Sequence, residues 1–168
     1  MDILRTSTDW ARAELLSNGF FVLFGAMFIA ASFGFWQRGE TEMARTFVVP
    51  MLVAGALLLI LGGGLLYSTW TTATGFEAAL TQDPAGFVAA EIARADRTMT
   101  QYGLAVFRVM PLLIAGAALL IVVMHGPAWR AGLVTATAVL SLVMKIDMNA
   151  NARMEAYKDA LLAGQAVR

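Results

Sequence analysis

Four long apolar runs alternate with polar stretches of unequal length. They cover about residues 17–36, 47–70, 104–124 and 129–144, each near the ~20 residues an α-helix needs to cross a ~30 Å hydrocarbon core. The fourth is the shortest and has to borrow length from the polar segment after it. No run alternates with the period of two that marks a strand, and in lipid the backbone must satisfy its own hydrogen bonds. The expected fold is therefore all-α: a polytopic membrane protein with four transmembrane helices, organised as a single domain over residues 1–168.

The connections sharpen this picture. A charged segment around 37–46 joins the first two helices, and only His125, Gly126, Pro127 and Ala128 join the last two. Short connections make antiparallel neighbours, so the pattern predicts two antiparallel hairpins. Between them lies a polar but patterned stretch. Asp83 followed by Pro84 is a helix start, an acidic N-cap with proline at the first helical position. From there Val88, Ile92, Ala95, Met99, Tyr102 and Val106 recur at helical spacing, which predicts that the third helix runs from Pro84 to Met124 with a kink at Pro111. The fourth continues in the same way through Ile146, Ala150, Met154, Tyr157 and Leu161, with Gly164 as its stop. Helices 3 and 4 thus extend beyond the membrane over about 84–103 and 145–163. Counting from the turn near Pro127, Asp147 stands level with Arg108 and Asp159 with Asp96. The polar leader of residues 1–18 has two readings, a continuous extension of the first helix or a separate surface helix ending at Asn18 and Gly19.

Composition supports membrane embedding. The chain has 168 residues, is 59% hydrophobic and 14% charged, and has a mean hydropathy of +0.69; a soluble domain carries about 25% charged residues. The leader holds Asp2, Asp9 and Glu14, unlike the short basic start of a signal peptide, although Ala30, Ala31 and Ser32 form a passable cleavage sequence. Net charge is zero, which gives no basic field for nucleic acid. Cysteine is absent, so disulfides, thiolate catalysis and cysteine metal sites are excluded. Arg5, Arg12, Arg94, Arg97, Arg108, Lys145, Arg153, Lys158 and Arg168 flank one side of the membrane, against Arg38, Arg45 and Arg130 on the other. The positive-inside rule then puts both termini and the middle segment in the cytoplasm of a bacterial inner membrane. Trp10 and Trp70 mark the inner interface and Trp36 and Trp129 the outer one. The excess of arginine over lysine fits a GC-rich bacterial genome.

Candidate chemistry is sparse. Arg94, Arg97 and Arg108, with Asp147, Asn149, Asn151 and Arg153, form the densest polar patches, suited to a protein partner or an anionic lipid headgroup; mixed charge on a helix is also what simple solvation looks like. Small residues suited to close helix packing, within the bundle or between copies, are Ala26, Ala30 and Gly34 on helix 1, Gly55, Gly62 and Gly63 on helix 2, and Ala128, Gly132 and Ala136 on helix 4. His125 is the single histidine, beside Gly126 and Pro127, which supports neither haem nor zinc ligation. The apolar midplane holds no ionisable side chain for ion coupling. No catalytic residue, metal site or cofactor is assigned. The expectation is a non-enzymatic subunit, adaptor or immunity-type binding protein, resting in the lipid bilayer as a homo-oligomer or part of a larger complex. Its partner contacts would lie on the extensions of helices 3 and 4. An oligomeric channel or small-solute transporter is the alternative.

Overall fold

A computed structural model describes residues 2–166, and these are helical almost throughout. Helix α1 (Ile3–Arg38) is followed by the short α2 (Glu42–Thr46), α3 (Val48–Thr74), α4 (Phe76–Gln82) and α5 (Pro84–Leu104). A π-helical turn (Ala105–Val109) links α5 directly to α6 (Met110–Val123), and α7 (Pro127–Ala166) closes the chain. Four helical stretches, Ile3–Arg38, Glu42–Gln82, Pro84–Val123 and Pro127–Gln165, are long and apolar enough to cross a membrane, and they suggest a multi-pass membrane protein.

Local chemistry explains the boundaries. The Asp2 carboxylate accepts the Arg5 N–H at 3.2 Å and caps α1. That helix passes Asn18 and Gly19 unbroken, so the leader is part of one helix of 36 residues. Asp83 accepts the Gly86 N–H at 2.9 Å with Pro84 in the first turn of α5, the start that the Asp-Pro pair predicts. Near Pro111, where a kink is expected, the chain widens into the π-helical turn one turn earlier. Proline has no N–H to offer the Phe107 carbonyl, and a local π adjustment is one way a helix absorbs that loss.

The packing has two regimes. In the apolar half, α1 lies along α3 in a close crossing set by glycine. A Cβ added at Gly55 would stand 2.6 Å from the Ile29 side chain and 2.7 Å from the Gly25 carbonyl oxygen, and one at Gly62 would stand 2.8 Å from Phe21 Cβ. Phe21, Leu58 and Ile146 form the core here, bringing α7 against α1 and α3. Among the described residues, helix α6 rests on α7 alone, apart from the adjoining π turn, and Leu112, on its outer side, is 73% exposed.

Of the small residues expected at helix contacts, Gly55 and Gly62 lie in the α1–α3 crossing, joined by Gly25, which the sequence pattern does not single out. Ala26, Ala30, Gly34, Gly63, Ala128 and Ala136 are exposed on the outside of the chain, while Gly132 is half-buried with open space where a Cβ would go.

The second regime is a separate core at the other end. The first turns of α1, with α4, α5 and the last half of α7, enclose Ile3, Trp10, Phe76, Phe87, Val88, Ala95, Met154, Tyr157 and Leu161. The helical stripes of α5 and α7 bury along the expected face. Their partner is the polar leader.

Candidate functional site

The site is the polar seam inside this second core. Along α1, Ser7, Trp10, Glu14, Ser17 and Asn18 repeat every three or four residues and all are buried, so the leader presents one polar face to α5 and α7. From α5, Glu91 enters at 7% exposure. Its carboxylate takes the Arg94 Nε at 3.0 Å and a second bond from the same guanidinium. Tyr157 of α7 donates its hydroxyl proton to Glu91 at 2.8 Å and lies 2.9 Å from the Ser7 hydroxyl. The Arg94 guanidinium sits 4.3 Å above the Trp10 ring, and that ring stacks on Tyr157 at 5.1 Å. Three helices therefore meet in one hydrogen-bonded, stacked unit.

Electrostatics reflect the enclosure. Burial opposes the charge on Arg94, but the hydrogen bond and charge of Glu91 outweigh it and raise its pKa above the usual arginine value. Burial also raises the Tyr157 pKa; the Ser7 bond opposes this and Glu91 adds to it. Tyr157 is thus held as a neutral donor to the Glu91 carboxyl group, which also takes the Arg94 guanidinium.

A second charged group lies nearer the apolar half. Arg153 of α7 bonds Glu14 of α1 at 2.9 Å, and Asn18 bonds Thr69 of α3 at 3.1 Å. Half-buried Asp147 has its pKa pushed up to about 6, first by burial and then by Glu14. Tyr102 is raised by burial and by the charges of Glu14 and Asp147. Among the described residues, the Arg153 Nε and the Trp10 Nε1 are buried without hydrogen-bond partners. Toward the free end, Lys158 reaches Asp96 at 2.6 Å with both groups partly solvated.

The residues expected from sequence divide accordingly. Arg94 and Arg153 are engaged inside the seam. Arg97 is exposed and its Nε donates to the Ala93 carbonyl at 3.3 Å. Arg108 is exposed in the π turn, Asn149 is exposed and Asn151 is half-buried. Among the described residues no ion pair joins Arg108 to Asp147; the ion pair Arg153–Glu14 bridges α7 to α1 instead.

Sequence reasoning missed Ser7, Trp10, Glu14, Tyr102 and Tyr157 as members of a site. The signal was present as the three- and four-residue spacing of 7, 10, 14, 17/18 and 21. It is hard to see because the buried face is mostly polar and a hydrophobicity pattern is blind to it. As an arrangement of groups, the seam fixes the register of three helices and leaves Arg97, Arg108 and Asn149 facing outward. No protein-family model, no curated protein and no solved structure matches this chain.

Proposed function

We propose that the protein is a non-enzymatic inner-membrane subunit or adaptor, of which an immunity-type binding protein is one form. Its apolar helices anchor it as two antiparallel hairpins in a bacterial inner membrane with both termini cytoplasmic. The extended ends of α5 and α7, clamped to the start of α1, form the contact surface for a protein partner. The observation that carries this reading is the Ser7–Tyr157–Glu91–Arg94–Trp10 unit. It makes the extramembrane end a rigid small bundle, and a rigid presentation lowers the ordering cost of binding. The charge bias of nine basic residues against three across the two sides supports the cytoplasmic placement.

On this reading the outward Arg97, Arg108 and Asn149 touch the partner, while Arg94 and Arg153 hold the surface in shape. The test is purification of the tagged chain from its native host in nanodiscs, followed by native mass spectrometry. The combined Arg97→Ala, Arg108→Ala and Asn149→Ala variant is expected to insert normally and lose a partner that the wild type captures in fixed stoichiometry. Equal capture by both proteins would sink the assignment.

An oligomeric channel or small-solute transporter is the second reading. What favours it is the group Glu14, Asp147, Arg153 and Tyr102, a cluster of ionisable side chains where the apolar helices end. Solute flux into liposomes holding the purified protein supports it, and absence of flux under ion and proton gradients removes it.

A further inference from the structure

Two of the four long helical stretches run unbroken from the apolar half into the seam, α1 over 36 residues and α7 over 40. The other two are jointed. The stretch holding α3 and α4 breaks at Gly75, whose N–H bonds the Thr72 carbonyl at 3.2 Å, three residues back instead of four. The stretch holding α5 and α6 widens into the π turn over Ala105–Val109. Both joints fall close to the ends of apolar runs. Between them α4 and α5 form a helical hairpin turned at Asp83, and its chain enters and leaves through the two joints.

The bonds at this end divide along the same line. Helices α1 and α7 hold each other without the hairpin, through Arg153 on Glu14 at 2.9 Å, Tyr157 beside Ser7 at 2.9 Å, and the stack of Trp10 on Tyr157. The hairpin has an internal contact of its own, Phe76 of α4 edge-on to Phe87 of α5 at 5.6 Å. What fastens the hairpin to the pair is narrower. Tyr157 donates to Glu91, Arg94 lies over Trp10, and Lys158 reaches Asp96. Besides the two phenylalanines, the buried apolar residues of the hairpin are only Val88 and Ala95.

We infer that α4 and α5 are a hinged flap, swinging about the line through Gly75 and the π turn and latched by Glu91 onto the fixed pair of α1 and α7. Swinging needs dihedral changes only at the two joints, where the α-helical bond pattern is already interrupted, and positions at the ends of elements absorb such changes. Parting α1 from α7 would instead require bending an unbroken helix. Opening uncovers the facing turns of α1 and α7 without separating them. Shut, the flap is the rigid bundle that holds Arg97 of α5 and Asn149 of α7 in one surface; open, it moves Arg97 away. A partner that grips both arms therefore selects the shut state. This regulation of the contact surface rests on the proposed function, whereas the hinge does not.

Paired spin labels on the full chain, in nanodiscs of phosphatidylcholine and phosphatidylglycerol and with no partner present, test it. The sequence has no cysteine, so the labels go only where they are placed. Ala93→Cys with Ala156→Cys spans α5 and α7, and Arg12→Cys with Ala156→Cys spans α1 and α7; all three positions are exposed. Adding Glu91→Ala should raise a longer-distance population of the first pair at least about ten-fold and leave the second pair at its single distance. Gly75→Ala fits the shut shape, since its Cβ would meet only the Thr72 carbonyl oxygen at 3.5 Å. By stiffening one joint it should reduce that longer population about two- to five-fold. The proposal is overturned if Glu91→Ala produces no longer distance between α5 and α7, if the α1–α7 distance broadens together with it, or if Gly75→Ala leaves the longer population unchanged. Failure of partner capture with these distances as expected removes the functional reading alone, and unmoved distances with capture intact remove the hinge alone.

Discussion

If the polar seam holds α1, α5 and α7 together, breaking it on one side should cost more than removing it entirely. Glu91 is the place to test this, because its carboxylate answers both Arg94 and Tyr157. Glu91→Ala leaves a buried guanidinium without its counter-charge and leaves the Tyr157 hydroxyl with Ser7 alone as acceptor. Breaking a fully buried ion pair from one side costs about 3–5 kcal/mol. Arg94 keeps 27% of its side chain exposed and the Trp10 face beneath it, so screening brings the expected loss to about 2–3 kcal/mol. Replacing both members with apolar residues of similar size, Glu91→Leu with Arg94→Met, removes the charges together and should cost less than about 1 kcal/mol. Amide hydrogen exchange across residues 3–18 and 153–161 reads the opening of this end separately from the membrane half. The single variant should lower protection there by about 30- to 150-fold, and the double variant should recover most of it. Equal losses in the two variants, or a single-variant loss below a few-fold, would refute the view that the seam is a coupled unit.

Two further predictions bear on other parts of the chain. The Asp147 pKa is raised from 3.8 to about 6, so the folded protein holds this proton more tightly than the unfolded chain. Stability contributed here is therefore present at low pH and is lost as pH rises from about 4 to about 6. That rise corresponds to at most about 3 kcal/mol, reduced to about 1–2 kcal/mol by partial exposure. Asp147→Asn should flatten the pH dependence of thermal unfolding between about pH 4 and 7 and stabilise at the upper end, whereas an unchanged pH slope would contradict the assignment. In the apolar half, Gly55→Val forces α1 and α3 apart at the Ile29 and Gly25 contacts and should cost about 1–3 kcal/mol. Gly63→Val, facing open space, should be near neutral, and detergent unfolding of the pair would show the difference.

The helical elements were legible because lipid imposes a simple rule on the chain. Long apolar runs gave the spans, and Asp83 with Pro84 gave the start of α5 from local capping chemistry alone. The stripe from Val88 to Val106 and the stripe from Ile146 to Leu161 carried both long helices beyond the apolar runs. The register from the turn was also informative. It put Asp159 level with Asp96 and Asp147 level with Arg108; the bond found at the first level is Lys158 to Asp96, and among the described residues no ion pair joins Arg108 to Asp147. The seam was less legible. Its α1 face is built from Ser7, Glu14, Ser17 and Asn18, residues that composition reads as a solvated leader. Only two partner helices, α5 carrying Glu91 and α7 carrying Arg153 and Tyr157, turn that face inward, and the pairing joins positions about 66–150 residues apart. The small-residue stripes show the converse problem. Ala26, Ala30 and Gly34 satisfy a spacing rule, but the direction of that face depends on where α3 and α7 lie, and Gly25, one residue away, is the position in the crossing.

On the proposed placement, with the seamed end outside the bilayer, the division of the molecule into an apolar half and a polar-seamed half follows from two solvents. In hydrocarbon there is no hydrophobic gain from bringing helices together, so close approach and dispersion must do it. The α1–α3 crossing on Gly25, Gly55 and Gly62 is that solution. In water, apolar burial drives association without choosing a register, and a small bundle of three helix ends has many near-equivalent ways to pack. The stacked Trp10 and Tyr157 contribute burial, while the Tyr157–Glu91 and Arg153–Glu14 bonds accept only one alignment, because a slip of one residue would leave Glu91 without its tyrosine donor and Glu14 and Arg153 unpaired. Polar groups in a core can act in this way to specify register. That specificity matters most in a chain whose α6, among the described residues, rests on α7 and the adjoining π turn. With one transmembrane helix held from a single side, the position of α5 is set by the seam at its far end, and the π turn at Ala105–Val109 lies between the two constraints. Weakening the seam should therefore loosen α5 and α6 together while leaving the α1–α3 crossing closed.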